Sequence, residues 1–81
     1  MKDLVEYVVK SLVDNPDDVQ VYEVPGKAST IIELEVAADD MGRIIGKGGR
    51  VIDSIRSIVQ IRAAKEGQRV ELELLEAGES R

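Results

Sequence analysis

Residues 42–52 read Gly-Arg-Ile-Ile-Gly-Lys-Gly-Gly-Arg-Val-Ile and hold four of the seven glycines and three positive charges, with no acid. A helical pattern stops at Gly46, because glycine favours backbone angles that end a helix, and a second helical pattern starts at Arg50. The stretch therefore predicts two helices joined by a glycine loop (residues 46–49), whose backbone N–H groups point outward at a helix N-terminus. Such a terminus favours a bound anion, since its amide donors are unpaired and the helix dipole is positive there.

The rest of the chain alternates between helical and strand patterns. Asp3 and Glu6 have the spacing of a capping box at the start of a first helix, and the oxygens of residues 38–40 are expected to cap a short second helix. Gly67 is expected to stop the longest helix. Apolar periodicity thus predicts these elements in order: a helix over 3–14, strands over 19–24 and 30–36, a short helix ending near Ile45, a helix over 50–65 and a strand over 69–74.

Length and charge limit what the chain can be. Eighty-one residues make one small domain. We expect it to cover residues 1–75, with a frayed tail over 76–81. The net charge is −5, but residues 42–65 hold six basic residues and one acid, a local +5. Because charges beyond a Debye length of roughly 8 Å are screened, the domain can be acidic overall and still present a basic edge.

The absent residue types exclude several classes of site. There is no cysteine and no histidine, which excludes a disulfide framework and the common zinc sites. No nucleophile–base constellation is present, so we expect no enzyme, no metal and no cofactor. Residues 1–13 mix charges with apolar residues, so they predict neither a signal peptide nor a membrane span, and a cytoplasmic protein is the simplest interpretation.

Residues 44–52 match the pattern (V/I)-I-G-x-x-G-x-x-I at every fixed position and resemble the signature of the KH family. The likeness extends along nearly the whole chain to the small stand-alone bacterial KH proteins of the KhpA type. Because two predicted strands precede the glycine loop, the resemblance implies the type II KH fold, an α+β domain in which three helices cover one face of a three-stranded sheet. KH domains bind single-stranded RNA or DNA, and their GXXG loop clamps the backbone of about four nucleotides.

Carried onto this sequence, the resemblance implies that the glycine loop holds an RNA backbone with its amides and with the nearest cations. Aliphatic residues at these positions line the floor of the KH groove in some members, although the helical pattern favours a core position over direct base contact for Ile44, Ile45 and Ile52. No Phe, Trp or His lies near the loop to stack on bases, so we expect low sequence selectivity. The candidate RNA-binding residues are Arg43, Ile44, Ile45, Gly46, Lys47, Gly48, Gly49, Arg50 and Ile52.

Two other phosphate-binding motifs do not fit the loop. Walker A requires four residues between its glycines and a Ser or Thr after the lysine, and neither condition is met here. The dinucleotide fingerprint requires G-x-G-x-x-G after a strand, whereas this loop follows a helical pattern. A plain helix–helix turn, the remaining alternative, does not account for three glycines and a lysine inside an acid-free basic run. Arg56, Arg62 and Lys65 lie farther along the chain and are expected to be surface charges.

One apolar residue lies outside the predicted stripe of the longest helix. That stripe comprises Val51, Ile52, Ile55, Ile58, Val59 and Ala63. At about 100° per residue, Ile61 falls on the opposite side, among mostly small neighbours. A β-branched residue among small ones suits close helix–helix contact, and two-fold pairing is the commonest form of oligomer. We therefore expect a homodimer whose self-association face comprises Ser54, Ser57, Ile61 and Ala64.

The sequence thus predicts a single-stranded RNA-binding protein, and the resemblance further implies an RNA chaperone or post-transcriptional regulator. The KhpA-type group is linked to cell elongation and cell division, and to a larger KhpB (Jag)-type KH protein, a possible heterodimer partner. Two alternatives remain open at this point. One is a protein-interaction module whose main task is dimerisation, and the other is a factor associated with ribosome assembly.

Overall fold

The structure, a computed structural model, describes residues 1–76 and contains three helices and a three-stranded mixed sheet. The predicted tail lies outside the described residues, apart from Glu76, which is the last residue of a strand. The elements are, in order, α1 (Lys2–Lys10), β1 (Gln20–Pro25), β2 (Thr30–Val36), α2 (Met41–Ile45), α3 (Arg50–Lys65) and β3 (Val70–Glu76), with short 3-10 turns at Pro16–Asp18, Ala38–Asp40 and Lys47–Gly49.

The sheet has the strand order β1-β2-β3. β1 and β2 are antiparallel, with Val21 opposite Leu34, and a tight turn joins them. β2 and β3 are parallel, with Ile32 beside Leu72. A parallel pair needs a long crossover connection, and here residues 37–69 supply it. The glycine loop lies in the middle of that crossover, between α2 and α3.

The core lies between one face of the sheet and the three helices. β2 contributes Ile32, Leu34 and Val36, the residues predicted for its buried face. The confirmed architecture is α+β, with all three helices on one side of the sheet, since each helix supplies buried residues to the same cluster. That cluster comprises Val5 and Val9 of α1, Ile44 of α2 and Ile52, Ile55, Val59 and Ala63 of α3, packed with Val19, Val21, Ile32, Leu34, Val36, Val70 and Leu72.

Helix α3 begins and ends where the sequence predicts. Its C-terminus is a Schellman motif, in which the Gly67 N–H donates to the Ala64 carbonyl at 3.1 Å and the Gln68 N–H donates to the Ala63 carbonyl at 2.8 Å. Gly67 has a φ of 71°, the left-handed conformation that this motif requires. One member of the predicted stripe is misplaced: Ile58 is 47% exposed rather than buried. It lies at the margin of the stripe, beyond the part that the other elements cover.

Helix α1 is shorter than predicted, ending at Lys10 instead of residue 14. Its N-cap residue is Met1 and no side chain caps it, so the expected capping box of Asp3 and Glu6 is wrong. The expected capping of α2 by side-chain oxygens is also wrong, since its N-terminus has no side-chain cap. The Asp40 carboxylate instead crosses to residues 14 and 15 of the α1–β1 connection.

Candidate nucleic-acid interface

The backbone of the glycine loop is set by three glycines with positive φ. Gly46, Gly48 and Gly49 have φ values of 74°, 67° and 78°. Positive φ in residues 1–76 occurs at glycines alone, in keeping with the cost of this conformation for residues that carry a Cβ atom. Helix α2 ends against Gly46, whose N–H donates to the Gly42 carbonyl at 2.9 Å, and α3 begins directly after Gly49.

Gly46 is required for space as well as for conformation. A Cβ atom at this position would lie 2.4 Å from Cγ2 and 2.9 Å from the backbone nitrogen of Val51, in the first turn of α3. At Gly48 a Cβ atom would meet nothing within 4 Å. The first glycine therefore allows the end of α2 to pack closely on α3, whereas Gly48 faces open space on the outer side of the loop.

The loop leaves amide donors available at its tip. Its own hydrogen bonds use the Gly49 N–H, which donates to the Gly46 carbonyl at 3.2 Å, and the Arg50 N–H, which donates to the Lys47 carbonyl. Within residues 1–76, the amides of Lys47 and Gly48 have no backbone partner. Two adjacent donors at the start of a 16-residue helix, with the positive end of its dipole behind them, form an arrangement suited to a phosphate oxygen.

The three cations around the loop differ in their surroundings. Lys47 and Arg50 are exposed, and neither takes part in the ion pairs of the part of the chain described. Arg43 is different, because its Nη2 lies 3.1 Å from Oδ2 of Asp14. Lys47 and Arg50 can therefore meet an incoming anion directly, whereas Arg43 already has an anionic partner.

Asp40 anchors the connection that carries Asp14. Its side chain is only 1% exposed, and its two oxygens accept hydrogen bonds from the backbone N–H groups of Asp14 and Asn15, each at 3.1 Å. The Asn15 Nδ2 donates a third bond at 3.0 Å. Burial by itself would raise the pKa of the Asp40 carboxyl, but these donors, together with the nearby Arg43, outweigh burial and hold the pKa below its ordinary value. The α1–β1 connection is thus fastened to the start of α2.

Arg56 is a candidate contact that sequence reasoning assigned to the plain surface. Its side chain is half-buried between α3 and β3, where Nε donates to the Leu72 carbonyl at 3.3 Å and Nη1 lies 3.2 Å from Oδ1 of Asp53. The available signal was its place on the helix, four residues after Ile52 and seven before Ala63, at the edge of the buried stripe. A basic side chain at that margin lies beside the next element of the fold.

A groove runs between α3 and the free edge of β3. A hollow of about 310 Å³ is lined by Arg56, Gln60, Glu71, Leu72 and Glu73. Because the Leu72 carbonyl points out to Arg56 while the Arg69 carbonyl pairs with Thr30 of β2, alternation along the strand directs the backbone groups of Val70 and Leu74 outward as well. The groove therefore has peptide donors and acceptors along one wall.

The three aliphatic candidates separate in the structure. Ile44 is completely buried and Ile52 is 5% exposed, so both belong to the core and can act on a ligand only by supporting the loop. Ile45, the last residue of α2, is 37% exposed and can touch a ligand directly. The structure thus brings the predicted polar residues and Ile45 to one surface and places Ile44 and Ile52 beneath it.

The four residues of the predicted self-association face are all exposed, and Ile61 is 63% exposed. Ile61 also borders a shallow, mainly apolar hollow with residues that sequence reasoning did not include. The hollow is lined by Leu4, Ile58, Ile61, Arg62 and Lys65. The exposed apolar surface therefore spans α1 and α3.

Within residues 1–76, no group of three or more His, Cys, Asp or Glu side chains could hold a metal ion. In the same range, no helix is both long enough and apolar enough to cross a membrane.

Comparison with known proteins was made on sequence and on structure. The family model for the KhpA/KhpB KH domain matches residues 2–74. The RNA-binding protein KhpA of Clostridium acetobutylicum is 52% identical over 75 residues, which cover 93% of this chain and 100% of that protein. KhpA of Clostridium perfringens is 51% identical with the same coverage, and KhpA of Borreliella burgdorferi is 46% identical over 91% of this chain and 90% of its own length.

Among solved structures, Aquifex aeolicus Era in complex with GDP·AlF4⁻ superposes with a TM-score of 0.62. The match covers 93% of this chain but 29% of the Era chain, at 23% identity, so it bears on the fold alone. The family model spans nearly the whole chain, and the relatives are about half identical over nearly their full length. The chain therefore belongs to the KhpA/KhpB family of KH-domain proteins.

Proposed function

We propose that this protein binds single-stranded RNA by clamping the RNA backbone with the glycine loop. The observation that carries the proposal is the pair of amides at Lys47 and Gly48, which have no backbone partner within residues 1–76. They lie at the N-terminus of α3 and beside two exposed cations. Several relatives, each about half identical to this chain, are named RNA-binding proteins, and this supports RNA binding by this chain as well. No catalytic step is proposed, and the cytoplasm is the compartment in which such a protein would meet its RNA.

In this arrangement one phosphate would accept from the two loop amides while Lys47 and Arg50 neutralise its charge and that of its neighbour. The following nucleotides would lie along the groove between α3 and β3. Bases there would meet aliphatic surface from Ile45 and the outward peptide groups of Val70 and Leu74. A peptide group hydrogen-bonds to only some of the donors and acceptors on a base, and no aromatic side chain is placed to stack on one. We therefore expect low sequence selectivity. Such binding suits an RNA chaperone or a post-transcriptional regulator.

The test is fluorescence anisotropy of a labelled single-stranded RNA with wild type and with Lys47→Asp/Gly48→Asp at two salt concentrations. Two carboxylates at the tip of the loop would repel phosphate, and Gly48 has open space around it, so the fold should survive. Aspartate also tolerates the left-handed conformation better than most residues. We expect salt-sensitive binding by wild type and its loss in the variant, with an unchanged circular dichroism spectrum.

A matched control is Lys27→Asp/Ala28→Asp, which changes the net charge by the same amount on the exposed β1–β2 turn. This control should retain most of the affinity, because that turn lies near the far end of α3 from the loop. Equal losses in both variants would show that overall charge, not the loop, governs binding. Equal binding by wild type and the loop variant would refute the clamp.

A second proposal is self-association through the apolar surface of α1 and α3, with a second copy of this chain as the occupant. Ile58 and Ile61 are both large and exposed there, with Leu4 between the helices. The rim carries both signs of charge, since Arg62 and Lys65 border the hollow and Asp3 precedes Leu4. A two-fold interface must be complementary to itself, and a mixed rim meets that condition. Pairing with a KhpB (Jag)-type KH protein stays a prediction from the resemblance.

Sedimentation velocity tests this second proposal. Wild type should sediment as a dimer at high concentration and Ile61→Asp as a monomer, because a charge would be buried without a partner. Gln60→Asp is the control, since Gln60 is exposed on the same helix but faces the groove. If wild type and Ile61→Asp are both monomers over the whole concentration range, the self-association face is wrong.

A further inference from the structure

We propose that Asp14 competes with RNA for Arg43, so that the α1–β1 connection lowers the affinity of the clamp. The inference rests on the proposed function and deepens it, because it assigns a role to an acid outside the glycine loop. In the structure the Arg43 guanidinium binds the Asp14 carboxylate at 3.1 Å, whereas Lys47 and Arg50 have no ion-pair partner within residues 1–76. One of the three cations around the loop is thus already neutralised.

The backbone at Asp14 is held in place by hydrogen bonds to Asp40. Its backbone N–H donates to the buried Asp40 carboxylate, as does the backbone N–H of Asn15, each at 3.1 Å. These bonds use the main chain and leave the Asp14 side chain free to reach Arg43. The carboxylate is therefore presented to the guanidinium by an anchored backbone, which reduces the conformational entropy that an exposed ion pair ordinarily loses.

The pair is also weak enough to exchange. The two side chains are 55% and 73% exposed, so water and salt screen their attraction. Arg43 lies one helical turn before Gly46, and its long side chain can rotate from the carboxylate to a phosphate held at the loop. The Asp14 carboxylate occupies Nη2 of Arg43. A phosphate would compete with it for the guanidinium charge and, in a paired hydrogen-bond arrangement, for the same nitrogen.

Exchange of partners has a consequence for salt dependence. When Arg43 leaves Asp14 for a phosphate, the phosphate releases a cation, but the freed carboxylate attracts one. The wild-type protein should therefore release fewer counterions than its number of phosphate contacts implies. Removal of the Asp14 charge should both tighten RNA binding and steepen its dependence on salt concentration.

The experiment compares Asp14→Asn with Asp17→Asn by anisotropy with a labelled single-stranded RNA over a series of salt concentrations. Both substitutions change the net charge equally, and Asp17 is exposed in the same connection but forms no ion pair with Arg43. Asparagine at position 14 keeps the backbone N–H that Asp40 binds. We expect Asp14→Asn to bind about two- to fivefold more tightly than Asp17→Asn, the range typical of an exposed ion pair. Its log–log salt slope should be steeper by up to about 0.7.

A double variant localises the effect to Arg43. If Asp14 acts through this residue, Asp14→Asn should bring no gain in an Arg43→Gln background. Equal affinities and slopes for the two single variants, with binding still lost in Lys47→Asp/Gly48→Asp, would overturn this inference and leave the loop clamp standing. A gain that persists in the Arg43→Gln background would overturn it as well. Absence of RNA binding by wild type and Asp14→Asn alike would overturn both the inference and the clamp.

Discussion

The molecule contains two turns with a glycine followed by a lysine, and they differ in what the backbone does. Gly26-Lys27 lies in the turn between β1 and β2, where the Gly26 N–H donates to the Ser29 carbonyl at 2.9 Å. Gly46-Lys47 lies between α2 and α3 and has positive φ at Gly46, which Gly26 does not have. Within residues 1–76, the tip amides of both turns lack a backbone partner, but only those of the second turn lie at the start of a helix.

The two turns share the dipeptide, so the anion site proposed for the glycine loop depends on its position at a helix N-terminus. The α3 helix has 16 residues and is about 24 Å long, with the glycine loop at its start and the hairpin turn near its end. Only the loop at the N-terminus has the positive end of the helix dipole behind it. Both turns place a lysine in solvent, so an effect of backbone and dipole can be separated from an effect of charge.

The largest effect is expected from glycine-to-alanine substitutions that disturb the backbone of each turn. Gly46→Ala would place a Cβ atom 2.4 Å from Val51 Cγ2 at a position with positive φ, and Gly26→Ala would place one 2.6 Å from the Ser29 carbonyl oxygen. We expect Gly46→Ala to cost about 3 kcal/mol or more, because strain and overpacking add. That corresponds to a fall of at least about 10 °C in the melting temperature for a domain of this size.

Thermal unfolding followed by circular dichroism measures both changes. At a temperature where both variants are folded, Gly46→Ala should also have lost RNA affinity, whereas Gly26→Ala should keep it. Retained affinity in a folded Gly46→Ala protein would contradict the role of the loop backbone.

A smaller effect concerns the two lysines. Lys47→Gln should weaken RNA binding and make the log–log salt slope shallower by about 0.7, the value for one phosphate contact with a single strand. Lys27→Gln removes the same charge from the other turn and should leave the slope unchanged. Anisotropy titrations of both variants over a salt series decide the matter, and equal slopes in the two variants would mean that Lys47 makes no phosphate contact.

The smallest effect concerns the stability of the elements beside the two turns at low pH. The hairpin is held by its strand ladder, whereas α2 is held in part by the buried Asp40, whose pKa is lowered below its ordinary value of 3.8. A carboxyl whose pKa is lower in the folded state than in the unfolded state stabilises the fold at pH values above its unfolded-state pKa. This contribution is lost as the pH falls through the folded-state pKa. Wild type should therefore lose stability below pH 3.8 more steeply than Asp40→Asn.

Urea unfolding at a series of pH values, from neutral to below 3.8, provides the measurement for Asp40. Asp39→Asn, a change in the adjacent exposed residue, serves as the control and should follow wild type. The same pH dependence in wild type and Asp40→Asn would show that this carboxylate does not contribute to acid sensitivity.

Patterns within one element predicted much of the fold. The bounds of β2 (Thr30–Val36) and α3 (Arg50–Lys65) agree with prediction at both ends. Each has a clear apolar period and a glycine or turn signal beside it, and these signals act over a few residues. The glycine loop was predictable for the same reason, since its three positions with positive φ favour glycine whatever surrounds them.

Most of the failures involve contact between residues far apart in the chain. The pattern extended α1 to residue 14, but Asp40 takes the amides of residues 14 and 15 from 25 or 26 positions away. Ile58 fits the apolar stripe of α3 and lies beside Leu4 and Val8, yet the packing of α1 leaves it 47% exposed. Arg56 is a charged residue of the kind expected at the surface. It lies against the edge of β3 because the crossover brings that strand beside α3.

The order of elements, the apolar faces and the glycine backbone of the loop could be predicted from the sequence, because each depends on periodicity or on the conformational freedom of a few neighbouring residues. Which charges around that loop are free depends instead on contacts that form on folding. Lys47 and Arg50 are without an ion-pair partner in the part of the chain described, while Arg43 binds Asp14 across 29 positions of the sequence. The availability of a charge depends on its neighbours in space, and folding brings those neighbours together.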